Sequence, residues 1–218
     1  MIREFTQSEF IFILTSARWT LLLTLLSLAL GGVFGFLVAI ARTARFAPLR
    51  LLASGWIAVV QGIPVLILLF LSYYGLALAG LDLPPLVAAS VSMSLYASAY
   101  LGEIWRGAIQ AVPWQQWEAS AALAFSRPQQ YRYIILPQAV RIAVPPTVGF
   151  IVQLVKNTSI VSIIGVVELA RAGHLVNNAT FQPFRVFAVV ALVYFCLCWP
   201  LSRAAHWLER RMHVGRAG

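Results

Sequence analysis

Lysine is all but missing from this chain: among 218 residues Lys156 stands alone beside fifteen arginines. Acid is scarce as well, with seven Asp and Glu against sixteen bases, and charged residues make up 11% of the sequence. An average soluble domain carries about 25%, so an ordinary soluble globular protein is excluded. Cysteine occurs twice, at Cys196 and Cys198 within an apolar run. Two residues apart on a helix they point about 200° from each other, which argues against a disulfide or a two-thiol metal site. No Gly-x-Ser-x-Gly or His-Glu-x-x-His is present, so an intramembrane hydrolase lacks its nucleophile or metal set. A phosphate-cradling loop needs a lysine after glycine, and Lys156 follows Val155. The chain is not a nucleotide hydrolase of that kind.

What is present is apolar. Hydrophobic residues reach 61% and the mean hydropathy is +0.83, so lipid is the solvent for most of the chain, and the length suits a single membrane domain. A bilayer core takes about 20 apolar residues in a helix. Residues 19–41, 51–81 and 83–102 are free of charge, in runs of 23, 31 and 20. A fourth segment lies between Arg141 and Glu168, interrupted by Lys156, and a fifth runs from Val186 to Ser202, extended by Phe184 and Trp207. The expectation is an all-α integral membrane protein of about five transmembrane helices. The first run is longer than the apolar part of a signal peptide and Arg42 follows it without a small-residue cleavage site, so it is expected to stay in the mature protein.

Assigning each base to a connection sets the orientation. One side takes Arg42, Arg45, Arg50, Arg106, Arg127, Arg132, Arg141, Arg203, Arg210, Arg211 and Arg216; the other takes Arg3, Arg18, Lys156, Arg171 and Arg185. The positive-inside rule makes the richer side cytoplasmic, with the amino terminus outside and the carboxy terminus inside. The net charge of +9 is thus scattered over span ends and forms no stripe for nucleic acid.

The longest connection on the basic side, 107–141, is polar and carries structure. Trp114 to Phe125 reads as a short alanine-rich helix, Ser126 with Pro128 starts a second, and Pro137 ends it at Leu136. Ala119, Ala122 and Leu123 share a face, a small-residue surface suited to close approach by a partner or to lying on the membrane.

In this connection Glu118, Ala119 and Ser120, then Ala124, then Ile134, Leu136 and Pro137 resemble the EAA loop of permease subunits of ABC importers. With Gln61-Gly62-Ile63-Pro64, Tyr100 to Gly107, Lys156-Asn157-Thr158-Ser159 and Leu208 to Arg211, the chain resembles the polar amino acid branch of that family over roughly residues 10–212. The resemblance implies an ABC type I importer permease fold. It implies an external segment 1–17, a permease domain 18–211 holding the EAA loop, and a cytoplasmic tail 212–218. It also implies partners: a cytoplasmic ABC ATPase dimer that binds the ATP and Mg, a second permease subunit (identical or related), an amino acid binding protein outside, and the bilayer of the bacterial inner membrane. No cofactor is expected in this chain. The coupling surface would comprise Glu118, Ala119, Ala122, Leu123, Ala124, Phe125, Leu136 and Pro137. Three positions depart from the family pattern: Gln61 stands for an arginine, Gln115-Gln116 for a glycine-glutamine pair and Ala124 for the EAA glycine. Within a helix of negative φ, alanine in place of glycine favours the helix by about 0.5–1 kcal/mol.

Polar groups at membrane depth are functional candidates. Gln61 lies about 15 Å into the second span at 1.5 Å per residue, beside Gly62 and Pro64, which can break a helix. The alternative for it is an interhelical hydrogen bond at a kink. Gln153, Lys156 and Asn157 share a helix face, followed by Thr158 and Ser159; an ammonium and amides there suit a carboxylate, and the alternative is a lysine snorkelling to the interface. Glu103 and Arg106 form a gate or a plain ion pair. Glu168, Arg171 and His174 read as an outer, solvated face. Trp19, Tyr73, Tyr74, Trp105, Trp199 and Trp207 read as interfacial anchors. The competing function is an ATP-independent secondary transporter or channel, which many families build from internal repeats that this sequence does not show.

Overall fold

The structure is a computed structural model that describes residues 4–213; Arg3, Arg216 and most of the expected tail lie outside them. The described residues form helices and no strand. In chain order they are α1 (Gln7–Thr43), α2 (Ala47–Gly62), α3 (Val65–Leu78), α4 (Pro85–Gln110), α5 (Trp114–Ala122), α6 (Arg127–Ile164), α7 (Leu169–Thr180) and α8 (Pro183–His213).

α1 is a helix turned inside out relative to a soluble one. Its buried residues include Thr20, Thr24, Ser27, Gly31, Gly35 and Ala39, small side chains three or four apart on one stripe. Leu25, Val33, Phe34 and Leu37 are exposed on the others, where lipid tails receive them. The small stripe brings α4 into near contact. A Cβ on Gly31 would stand 2.6 Å from the Ala97 Cβ and 2.8 Å from the Ser94 carbonyl oxygen, and one on Gly35 3.0 Å from the Leu101 Cβ. Gly102 answers from α4, where a Cβ would meet the Val38 Cγ1 at 2.9 Å.

α4 is enclosed by α1, α2, α3 and α6. Three of its buried serines return their hydroxyls to their own helix, Ser90 donating to the Leu86 carbonyl at 2.8 Å, Ser94 to the Ser90 carbonyl at 2.6 Å and Ser98 to the Leu95 carbonyl at 2.7 Å, while the buried Ser92 hydroxyl has no partner. Those serines are also why the expected five spans do not look alike. By length and composition α1, α6 and α8 can cross a membrane singly, and α2 with α3 make a fourth span if the bent pair counts as one. α4, 26 residues long, is about 39 Å at 1.5 Å per residue, yet falls short of the others in hydropathy. An interior helix meets little lipid and has no need of it.

The charge-free run 51–81 is broken: α2 and α3 are bent by 103° at Ile63 and Pro64. In α6, Ser126 caps the helix as expected, its N–H donating to the Gln129 Oε1 at 2.8 Å. Pro137, however, does not end it. A π stretch at Gln130–Ile135 precedes it, and the widened turn accommodates the proline ring and its missing N–H, so the helix continues through Pro145 and Pro146 to Asn157. A 3₁₀ turn, Thr158–Ile164, closes it at Gly165, φ +93°.

Glu168 is not on a solvated face. It is fully buried, caps α7 by accepting from the N–H groups of Ala170 at 2.9 Å and Arg171 at 2.8 Å, and accepts from the Tyr194 hydroxyl of α8 at 2.9 Å. The Leu169 N–H donates to the Thr20 hydroxyl at 3.3 Å. One carboxylate thus ties α7 and α8 beside α1. The cysteines of α8 are both free, Cys196 exposed and Cys198 buried.

Gly31→Ala is expected to destabilise the protein by about 1–3 kcal/mol through overpacking, read as a lower melting temperature in detergent. Gly32→Ala, whose Cβ meets nothing nearer than the Trp105 ring at 3.7 Å, should not lower it; equal melting of the two variants would contradict the seam.

Candidate functional site

Two groups of polar residues are positioned by α4, one along its length and one beyond its end. Tyr96, Ala99, Tyr100 and Glu103 recur on one face of α4. From α6, the Gln153 side chain donates to the Tyr96 hydroxyl at 2.8 Å. From α2, the Gln61 amide reaches the Ala99 carbonyl at 3.4 Å. Tyr96 and Ala99 are three residues apart, about 4.5 Å along the axis, so the two glutamines that the sequence singles out flank a single turn of α4. Tyr96, Tyr100 and Phe150 of α6 form an aromatic cluster between them, with ring centroids 4.5, 5.8 and 5.6 Å apart.

The polar run at the end of α6 divides. Gln153 and Lys156 are exposed, Asn157 and Ser159 are half-buried, and Thr158 is buried. Thr158 turns inward and donates to the Val155 carbonyl at 2.8 Å. Gln153, Lys156 and Asn157 stay close to the shared face expected of them, and Thr158, off that face by helix geometry, begins the 3₁₀ turn. Exposure is the informative property of Lys156: an ammonium on a helix of this length and hydropathy needs water, a partner or the interface.

Glu103 and Arg106 form a forked ion pair, with the Arg106 Nε donating to Glu103 Oε2 at 2.8 Å. The guanidinium also donates to the Gln110 side chain. Trp105, expected as an interfacial anchor, instead lies between helices and donates to the Thr147 hydroxyl at 3.0 Å, while Trp199 and Trp207 are about half exposed. Sequence reasoning missed Tyr96 and Tyr100 as a site. Their signal is two tyrosines four apart in the middle of a span, where anchors have no use.

Beyond α4, Pro113 starts α5. Trp117 is half-buried and packs edge-on against Tyr131 of α6 at 5.2 Å, and Ser120 is buried. Glu118, Ala119, Ala122, Leu123 and Ala124 are exposed, Phe125 and Leu136 half-buried, and Pro137 exposed. α5 therefore stands on an anchored inner face and offers a small-residue outer one.

The helix ends at Ala122, short of the expected Phe125. The Phe125 N–H donates to the Ser120 carbonyl at 3.1 Å and the Ala124 N–H to the Ala121 carbonyl at 2.9 Å, the paired bonds of a Schellman stop. Ala124 occupies its left-handed position with φ +59°. The expectation that alanine here favours a helix is overturned, because its condition of negative φ fails: this is the position at which a glycine is unstrained. Ala124→Gly is expected to stabilise the protein by about 1 kcal/mol, seen as a higher melting temperature of the purified protein; a lower one would contradict the assignment.

Residues 10–214 match the family described as binding-protein-dependent transport system inner membrane component. The chain is 34% identical to the glutamine transport system permease protein GlnP of Escherichia coli (strain K12), over 93% of each chain. It is 33% identical to the L-cystine transport system permease protein TcyB of Bacillus subtilis (strain 168), over 89% of this chain and 83% of that one. A crystal structure of an amino acid ABC transporter with histidines aligns at a TM-score of 0.86 and 32% identity, covering 92% of this chain and 94% of that one. An inward facing MetNI methionine ABC transporter aligns at 0.73 and 20% identity over 92% of this chain and 94% of that one, a likeness of fold.

Proposed function

Because the chain belongs to the family of binding-protein-dependent transport system inner membrane components, we propose that it is the permease of an ATP-driven importer whose substrate is an amino acid. It is a multi-pass membrane subunit. The observation that carries the reading is α5, held by Trp117 and Ser120 while Glu118, Ala119, Ala122 and Leu123 face outward unpacked. A nine-residue helix with such a face suits a groove on an ATPase subunit, which supplies the ATP hydrolysis and binds its Mg. The richer side in arginine is then the cytoplasm, the carboxy terminus lies there, and the amino terminus lies outside.

The substrate path follows α4. Gln61, Gln153, Lys156 and Asn157, with Ser159 at the helix end, offer amides and an ammonium to a carboxylate and an amino group, and the Tyr96 and Tyr100 rings wall the space between. Gln153 and Lys156 are exposed in the single chain, which supports a second permease, identical or related, closing the path across from them. An external binding protein delivers the substrate. Glu103 and Arg106, paired within α4, serve as a structural clamp on the cytoplasmic side of that path.

Two variants of the assembled complex test this in proteoliposomes. Lys156→Ala is expected to cut ATP-driven amino acid uptake at least tenfold, the worth of about 1.4 kcal/mol, with all subunits still co-purifying; undiminished uptake would remove Lys156 from the path. Glu118→Lys places a cation where the partner groove is expected to receive an anion. It should lower ATPase retention or the uptake per ATP hydrolysed, and wild-type values of both would count against α5 as the coupling element.

A further inference from the structure

Three arginines with no carboxylate among them line one cavity at the α5 end of the bundle. It measures about 370 Å³ and lies between the end of α1, the start of α2, the end of α4 and the inner side of α5, with Arg42, Arg50 and Arg127 around it and Trp114 and Trp117 as an aromatic wall. The Arg42 Nε is buried without a hydrogen-bond partner. Arg127 lies over the Trp117 ring, 5.5 Å from its centre. Glu103 is held by Arg106. The ion pairs found among the described residues, Glu103 with Arg106 and His206 with Glu209, include none of the three. Guanidinium groups gathered in this way favour a planar or tetrahedral oxyanion that they can grip with paired donors.

The surroundings say where that anion comes from. The turn between α1 and α2 and the first turns of α2 carry Phe46 at 67% exposure and Leu52 at 74%, with Leu49 and Leu51 also exposed. Such side chains need hydrocarbon around them, so the cavity opens at the boundary where lipid phosphates lie. The outer residues of α5, Glu118, Ala119, Ala122 and Leu123, do not line it.

We infer that this cavity is a binding site for the phosphate headgroup of an anionic phospholipid in the leaflet at this end of the bundle, joining the α1–α2 turn to the base of α5. The site does not depend on what the chain transports, so failure of either reading leaves the other standing.

The test is native mass spectrometry of the purified assembled complex titrated with phosphatidylglycerol or with phosphatidylcholine. The wild type is expected to retain phosphatidylglycerol selectively. Arg42→Gln, Arg50→Gln and Arg127→Gln combined should reduce that selectivity tenfold or more, since each basic residue near an anionic surface is worth about fivefold in affinity. The matching lysine substitutions, which keep charge and lose the fork, should retain part of it and show that the fold survives. Equal retention of phosphatidylglycerol by wild type and the glutamine variant would overturn the inference. So would displacement of the lipid by millimolar inorganic phosphate, or loss of a protein partner with lipid retention unchanged.

Discussion

Lipid gives helices no hydrophobic reason to associate, so the close approach of α1 and α4 is the contact on which the rest of the structure depends. It is made by removing side chains. Gly31, Gly35 and Gly102 leave room for backbone against backbone, and a single methyl at Gly31 would fall 2.6 Å from Ala97. Dispersion between two backbones brought close by the missing side chains replaces the water-driven burial of a soluble core. With α1 against its back, α4 is fixed in the middle of the bundle, and its front is free to carry Tyr96, Tyr100 and Glu103 toward Gln61 and Gln153. The lipid-facing leucines of α1 contribute solubility in the bilayer and little to this arrangement.

The irregular backbone falls where the polar chemistry is. α2 and α3 break next to Gln61, α6 passes from α to 3₁₀ at Thr158 beside Lys156 and Asn157, and π turns stand in α3 and before Pro137. Each break frees backbone groups that hydrocarbon would not tolerate, and such breaks persist in membranes where protein or water meets them. Glu168 gives the complementary case. A buried carboxylate is costly, and this one is repaid by two amide donors and a tyrosine hydroxyl, which together fasten α7 to α8 across a connection the sequence reads as solvated.

Much of this was legible in the sequence, and the failures have identifiable causes. Charge-free runs located the membrane segments because a charge in lipid is expensive wherever it falls. They gave no warning that α4 is interior, since a serine that donates to its own helix, as Ser90 and Ser98 do, is tolerated in protein and in lipid alike. The seam is written as Ser27, Gly31, Gly35 and Ala39 at intervals of four, a pattern without a chemical signal because small residues carry no chemistry. Glutamine and lysine at membrane depth were found by their cost. Their neighbour Tyr96 was not, because tyrosine inside a span looks like any aromatic until Gln153 is seen to donate to it. Pro137 misled for a geometric reason: a proline stops an α-helix, and a preceding π turn removes the clash.

If α5 is the coupling element proposed above, the same geometry gives its motion a route to the middle of the membrane. α5 is short, about 13 Å for nine residues, and neither end is loose. Pro113 fixes φ at its start, directly after α4 ends, and the Schellman stop at Ala124 runs into the Ser126 cap of α6 without a flexible residue between them. A push on the outer face of α5 therefore has two exits, α4 and α6. These are the helices that carry Tyr96 and Gln153 on opposite sides of one hydrogen bond of 2.8 Å. Alanine in a left-handed conformation is a local strain of about 1 kcal/mol, tolerable because surrounding bonds determine the turn, and in that sense the junction at residue 124 is set by α5 and α6 together rather than by its own residue.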